Sequence, residues 1–172
     1  MASRFPIHKT AIACIALAGL PAFAQTDIKA AFLKHLKISR DFTLKVADQM
    51  PEADYGFKLT PPQMSFAEQI THLAQAQAEF LGPFVDGKLN PGKPASMNKK
   101  DVLAFVRQTF DNSIDLVSKL TPAQIAKSYQ SEGGSMTGLE MLMFLMDHTT
   151  HHRASAEMYL RAKGITPADY QF

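Results

Sequence analysis

Apolar residues recurring at helical spacing, cut into long stretches by proline, glycine and capping residues, restrict this chain to a helical fold. Asp27 is placed to cap a first helix through about Met50, with Ala31, Phe32, Leu36, Ile38, Phe42, Leu44 and Val46 on its apolar face or faces and Pro51 as its stop. A second helix opens at Ser65 with Glu68 in capping-box spacing and closes or kinks at Gly82-Pro83. Asn98 caps a third helix over "KKDVLAFVRQTFDNSIDLVSKL", and Thr121-Pro122 starts a short extra one, because proline is suited to the first helical position. The fourth long helix begins near Thr137 with Glu140 in capping-box spacing and ends at Gly164. No convincing alternating strand run or internal repeat interrupts the series. The expected fold is therefore all-α: a single four-helix bundle with a short extra helix and two Pro/Gly-rich connecting loops.

The N-terminal stretch is treated separately, because "MASRFPIHKTAIACIALAGLPAFAQ" has the order of a secretory signal: Arg4 and Lys9, an apolar run, then Ala22-Phe23-Ala24 in A-x-A spacing. The expectation is a signal peptide over residues 1–24, cleaved after Ala24, and a mature domain over residues 25–172 that is periplasmic or secreted. An uncleaved amphiphilic anchor is the rival. No later apolar run is long enough to span a bilayer, so no membrane contact is expected after cleavage. The chain's one cysteine, Cys14, lies in the leader, which excludes disulfides, a thiolate nucleophile, cysteine-ligated zinc and covalent haem from the mature domain. Removing Arg4 and Lys9 takes the basic residues from 18 to 16, equal to the 16 acidic ones. Without a basic excess, nucleic acid is not an expected partner.

Chemistry concentrates in "DHTTHHRAS", Asp147 to Ser155, which holds three of the chain's six histidines. On a helix His148 and His152 lie one turn apart on one face, while His151 is rotated away. Two imidazoles so placed suit one metal ion, but they equally suit a solvent-flanking or core position. The surrounding helix is apolar on most sides, so polar groups within it need partners. His72, between Ile70 and Leu73 in the second helix, is the candidate third ligand from a facing element, against the alternative of a satisfied core or boundary histidine. A zincin would need H-E-x-x-H, and Thr149 occupies the glutamate position. A di-iron bundle would need Glu-x-x-His, and Glu68 precedes His72 by four residues.

The helix "SFAEQITHLAQA" with its central histidine, followed by "MDHTTHHRASAEMYLRAKGITPADY", resembles the DinB family of four-helix-bundle proteins over roughly the whole mature chain. The most specific element is D-H-x-x-H-H-R followed by Y-L-R and Gly. The resemblance implies a three-histidine metal site with His72, His148 and His152 as ligands, and His151 and Arg153 as signature residues outside the ligand set. Ala154-Ser155 departs from the Gly-Gln common after the Arg in relatives, which puts any substrate contact there in doubt. It also allows a homodimer through outer helix faces.

Three neutral imidazoles leave a divalent ion such as Zn²⁺, Ni²⁺ or Mn²⁺ with open positions, and such an ion can lower the pKa of bound water towards about 7. The expected function is an exported metal-dependent hydrolase or transferase acting on an unidentified small molecule. The alternative is a non-catalytic bundle that holds a metal or small ligand. Non-covalent haem between a bundle His and Met is a third option that a Soret band would reveal. Several neighbours have simpler roles: Met141, Met143 and Met146 are spread around their helix as packing residues, and Tyr159 is a core tyrosine with a bonded hydroxyl. Glu68 is explained by its cap, although it is the better of the two candidates, with Asp147, for orienting a ligand.

Overall fold

Four long helices make up the body of the protein: α1 (Ala22–Gln49), α2 (Phe66–Leu81), α3 (Lys99–Lys119) and α5 (Gly138–Ala162), with a short α4 (Pro122–Ala126) before the last. The structure is a computed structural model and describes residues 22–90, 92–131 and 134–171. Residues 1–21 of the expected signal peptide therefore lie outside the described residues. No described helix is long and apolar enough to cross a membrane.

The caps form where the sequence places them. Ser65 with Glu68, Thr121 with Gln124, and Thr137 with Glu140 each close a reciprocal capping box, and Asn98 accepts from the Asp101 amide. Each satisfies amide donors that a helix N-terminus otherwise leaves unpaired. Two features differ from expectation. Asp27 is inside α1 instead of capping it, because no glycine or proline separates Ala22 from Ile28 and nothing in the sequence stops the helix there. A small antiparallel hairpin, β1 (Ser128–Ser131) and β2 (Gly134–Thr137), joins α4 to α5 in a register running from Ser128↔Thr137 to Ser131↔Gly134. Strands this short carry almost no alternation, and Gly133-Gly134 is their one sequence signal.

Cross-helix contacts set the directions. Lys29 reaches the Leu120 carbonyl while Lys99 pairs with Asp48, so α1 and α3 are antiparallel. Gln69 meets His152 and Phe80 meets Phe144, so α2 and α5 are antiparallel. Arg153 meets Ser39 and Gln49 meets the chain just after α5, so α1 and α5 run together. The α1–α2 connector is ordered over one end of the bundle: Tyr55 donates to the Ala47 carbonyl, Phe66 and Ala67 donate back to Phe57 and Tyr55, and Tyr159 donates to the Met64 carbonyl. The core runs the length of the bundle through residues such as Leu36, Phe42, Leu73, Phe110, Leu142 and Leu160.

At the opposite end Gly138 begins α5 against α4. A Cβ there would sit 2.5 Å from the Gln124 carbonyl oxygen, 2.8 Å from the Phe84 ring and 2.9 Å from the Ile125 Cα. Two of these three atoms are backbone and cannot swing aside, and the same glycine amide donates to the Lys127 carbonyl at 2.9 Å. Gly138→Ala is expected to lower stability by about 1–3 kcal/mol in urea denaturation through overpacking, against the usual gain from placing alanine in a helix. A neutral or stabilising result would show that α4 moves freely relative to α5.

Candidate metal centre

The middle of α2 and the middle of α5 carry the chemistry, and the periodicity of two antiparallel helices brings it together. Gln69, His72 and Phe80 fall on one side of α2, and Phe144, His148 and His152 follow one another at single-turn steps on α5. The two ladders face each other. The ring of His72 is 5.0 Å from that of His148 and 4.5 Å from that of His152, and His148 and His152 are themselves 4.5 Å apart, centroid to centroid.

One nitrogen from each of His72, His148 and His152 lies within 4.8 Å of the others, and all three side chains are half-buried. An ion bonded to nitrogen at about 2.1 Å in tetrahedral geometry wants its donors about 3.4 Å apart. The donor set is imidazole nitrogen throughout, and among the described residues the buried Nδ1 of His148 has no hydrogen-bond partner. A buried ring nitrogen left so costs free energy that a ligand bond would recover. The residues therefore fit a divalent ion, and the three histidines are positioned to hold one.

Electrostatics keep the imidazoles ready for this role. Burial, followed by the neighbouring His148, His72 and His151, pulls the pKa of His152 down to about 4. Burial, then His72 and His151, also lowers that of His148. Both rings are therefore neutral at pH 7, the form that binds metals.

Gln69 is a site residue that local sequence patterns do not single out. His152 Nδ1 donates to its Oε1 at 2.6 Å, which fixes the tautomer and leaves Nε2 of His152 as the nitrogen free to ligate. Its sequence signal is a position one turn before His72 on the same face, less conspicuous than the charged Glu68 beside it. That carboxylate is occupied elsewhere: it accepts from the Ser65 amide and stands 3.6 Å from Lys58, and the Ser65 hydrogen bonds hold its pKa below the usual range. Asp147 is exposed and lies outside the histidine cluster. Gln69→Leu is expected to weaken Zn²⁺ affinity by about 10–100-fold in chelator competition, while Gln69→Glu, which keeps an acceptor, retains most of it. Equal affinity in Gln69→Leu and the parent would show that the hydrogen bond does not orient His152.

The remaining residues divide as follows. His151 is exposed, its ring 4.9 Å from that of His152 and outside the ligand cluster. Arg153 points away into the bundle, where Nη1 donates to Ser39 Oγ at 2.8 Å. Tyr159 is buried with its hydroxyl on the Met64 carbonyl, as a core tyrosine should be. Met141 packs in the core, but Met143 is 58% exposed, so core packing does not describe it. A separate open cleft of about 470 Å³ between the end of α2 and β1, lined by Glu79, Pro83, Asp86, Leu89 and Tyr129 among others, contains no histidine.

Comparison with known proteins gives consistent matches. The model of the DinB family matches residues 23–172. An uncharacterized Bacillus subtilis protein, YjoA, is 23% identical over 138 residues, covering 78% of this chain and 90% of its own length. The crystal structure described as a DinB-like protein, YjoA of Bacillus subtilis, superposes with a TM-score of 0.70 at 19% identity, covering 81% of this chain and 96% of the other. A DinB-like protein from Bacillus cereus gives 0.72 at 18% identity, covering 83% and 97%. At these identities the two structures establish the fold.

Proposed function

Because this chain belongs to the DinB family, we propose that His72, His148 and His152 ligate one divalent ion, Zn²⁺, Ni²⁺ or Mn²⁺, in an exported metal-dependent hydrolase or transferase that acts on a small molecule. The observation that carries the reading is the meeting of three imidazoles from two helices, with the tautomer of His152 set by Gln69. When bound, the ion supplies Lewis acidity at its open positions. The chain's own residues do the rest: α2 and α5 hold the three nitrogens in register, Gln69 holds the His152 proton on Nδ1, and the half-buried setting limits water. Export is supported by the basic, apolar and A-x-A order of residues 1–24, and N-terminal sequencing of protein from the native host should begin at Gln25.

One observation favours a second reading, a non-catalytic metal- or ligand-binding bundle. Among the described residues no carboxylate joins the histidine cluster, so no side-chain general base of that type is built in beside the nitrogens. The two readings separate in one experiment. Mature protein loaded with Zn²⁺, Ni²⁺ or Mn²⁺ is assayed against ester, amide and thiol-transfer substrates, with His72→Ala as the control. Metal-dependent turnover lost in the variant supports the enzyme, and stoichiometric metal without turnover across the panel supports the binding module. Failure to retain any of the three metals overturns the metal site in both readings and leaves only a bundle that binds a small ligand without metal.

A further inference from the structure

The ladder of α2 and α5 continues past the histidines into aromatic residues that the metal reading does not use. Phe80 lies 5.6 Å from the His148 ring, centroid to centroid, and stacks on Phe144 at 6.2 Å with the planes 29° apart. Phe144 is one turn before His148 on the same helix face and is 53% exposed. Phe80 is half-buried beneath it. A phenylalanine left half in water contributes little to folding, and stacking on Phe80 orders a flat apolar surface at the edge of the nitrogen cluster.

We propose that the histidine trio and the Phe80–Phe144 pair form one composite site for a small organic anion with an aryl or alkyl body, its charged head on the metal and its body on the two rings. The inference rests on the metal reading above and names the substrate class for that site. Charge complementarity selects the head group. Three neutral imidazoles leave the full positive charge of a divalent ion uncompensated, and no carboxylate joins them among the described residues. Geometry selects the body: the aromatic surface begins within one ring contact of His148, so a ligand held at the ion reaches Phe80 and Phe144 with a substituent about the length of a phenyl ring. A compact anion without such a group leaves the rings uncovered.

The test uses Co²⁺-loaded protein, whose visible absorption reports the ion's own ligands, titrated with benzohydroxamate and acetohydroxamate, two metal-binding anions that differ in their apolar body. In the parent, both should shift the cobalt bands, with benzohydroxamate binding about tenfold more tightly. Phe144→Ser, at a position exposed enough to leave the fold intact, should keep its cobalt spectrum and lose that preference, and Phe144→Leu should keep part of it. Equal affinities in the parent, a preference that persists in Phe144→Ser, or benzohydroxamate binding that leaves the cobalt bands unmoved would overturn the composite site while the metal centre stands. Failure of the parent to bind Co²⁺ overturns the metal reading and this inference with it.

Discussion

Replacing His72 with alanine should abolish stoichiometric metal binding while leaving the bundle folded. Among the described residues His72 is the one candidate ligand on α2, so its loss leaves the trio with two nitrogens on a single helix, His148 and His152. Outer-sphere changes such as Gln69→Leu cost about 10–100-fold in affinity, and removal of a ligand itself should exceed about 100-fold. The measurement is metal content by elemental mass spectrometry together with Zn²⁺ affinity by chelator competition, for the parent, His72→Ala and the His148→Ala/His152→Ala double variant. Because His72 is half-buried and not a core residue, circular dichroism should remain that of a helical bundle. Undiminished metal in His72→Ala would place the site elsewhere.

The same groups predict a pH dependence. An unfolded histidine titrates near 6.5, whereas His152 in the native chain titrates at about 4. Its depressed value means that, as pH falls below about 6.5, the unfolded chain takes up a proton that the native one refuses, so metal-free protein loses stability between about pH 6.5 and 4. His148 adds in the same direction. Urea midpoints measured at pH 7 and pH 5 should fall in the parent and fall less in the double variant. A metal ion held by these nitrogens should raise stability at pH 7 by mass action and be released on acidification as protons compete for the rings.

Arg153→Ala should be the more destabilising change to the fold, at about 2–4 kcal/mol. The side chain is only 5% exposed, its guanidinium lies 4.6 Å over the Phe42 ring, and Nη1 donates to Ser39 Oγ at 2.8 Å. Truncation opens a cavity, removes the cation–π contact and leaves a buried hydroxyl unpaired. Burial is also the leading influence on the arginine's pKa and lowers it, which marks the cost of keeping a charge there. Arg153→Met should therefore recover most of the loss, since an apolar chain of similar length fills the volume without that cost. If the methionine variant were as unstable as the alanine one, the charge itself would be what the bundle requires. Metal affinity should change little in either variant, because Arg153 is directed towards α1 and away from the histidine cluster.

The sequence by itself determined the helices and the starts of all but the first. Ser65 with Glu68, Asn98, Thr121-Pro122, and Thr137 with Glu140 are local devices, complete within a few residues, and each forms as read. The pairing of His148 with His152 is equally local, because helical geometry alone sets it. Asp27 shows the limit of such signals: a good capping residue with no breaker before it is simply carried into the helix. The hairpin at Ser128–Thr137 was hidden because four-residue strands show no usable periodicity.

Only the tertiary structure decided which faces meet. The meeting of His72 with the α5 pair, the hydrogen bond of Gln69 to His152 and the stacking of Phe80 on Phe144 all depend on the antiparallel register of α2 and α5. That register is set by packing along the whole core, and no short stretch of sequence encodes it. For the same reason Glu68, the charged and more conspicuous neighbour, is held at the helix end by its own cap, while the neutral Gln69 beside it reaches across to the candidate ligand.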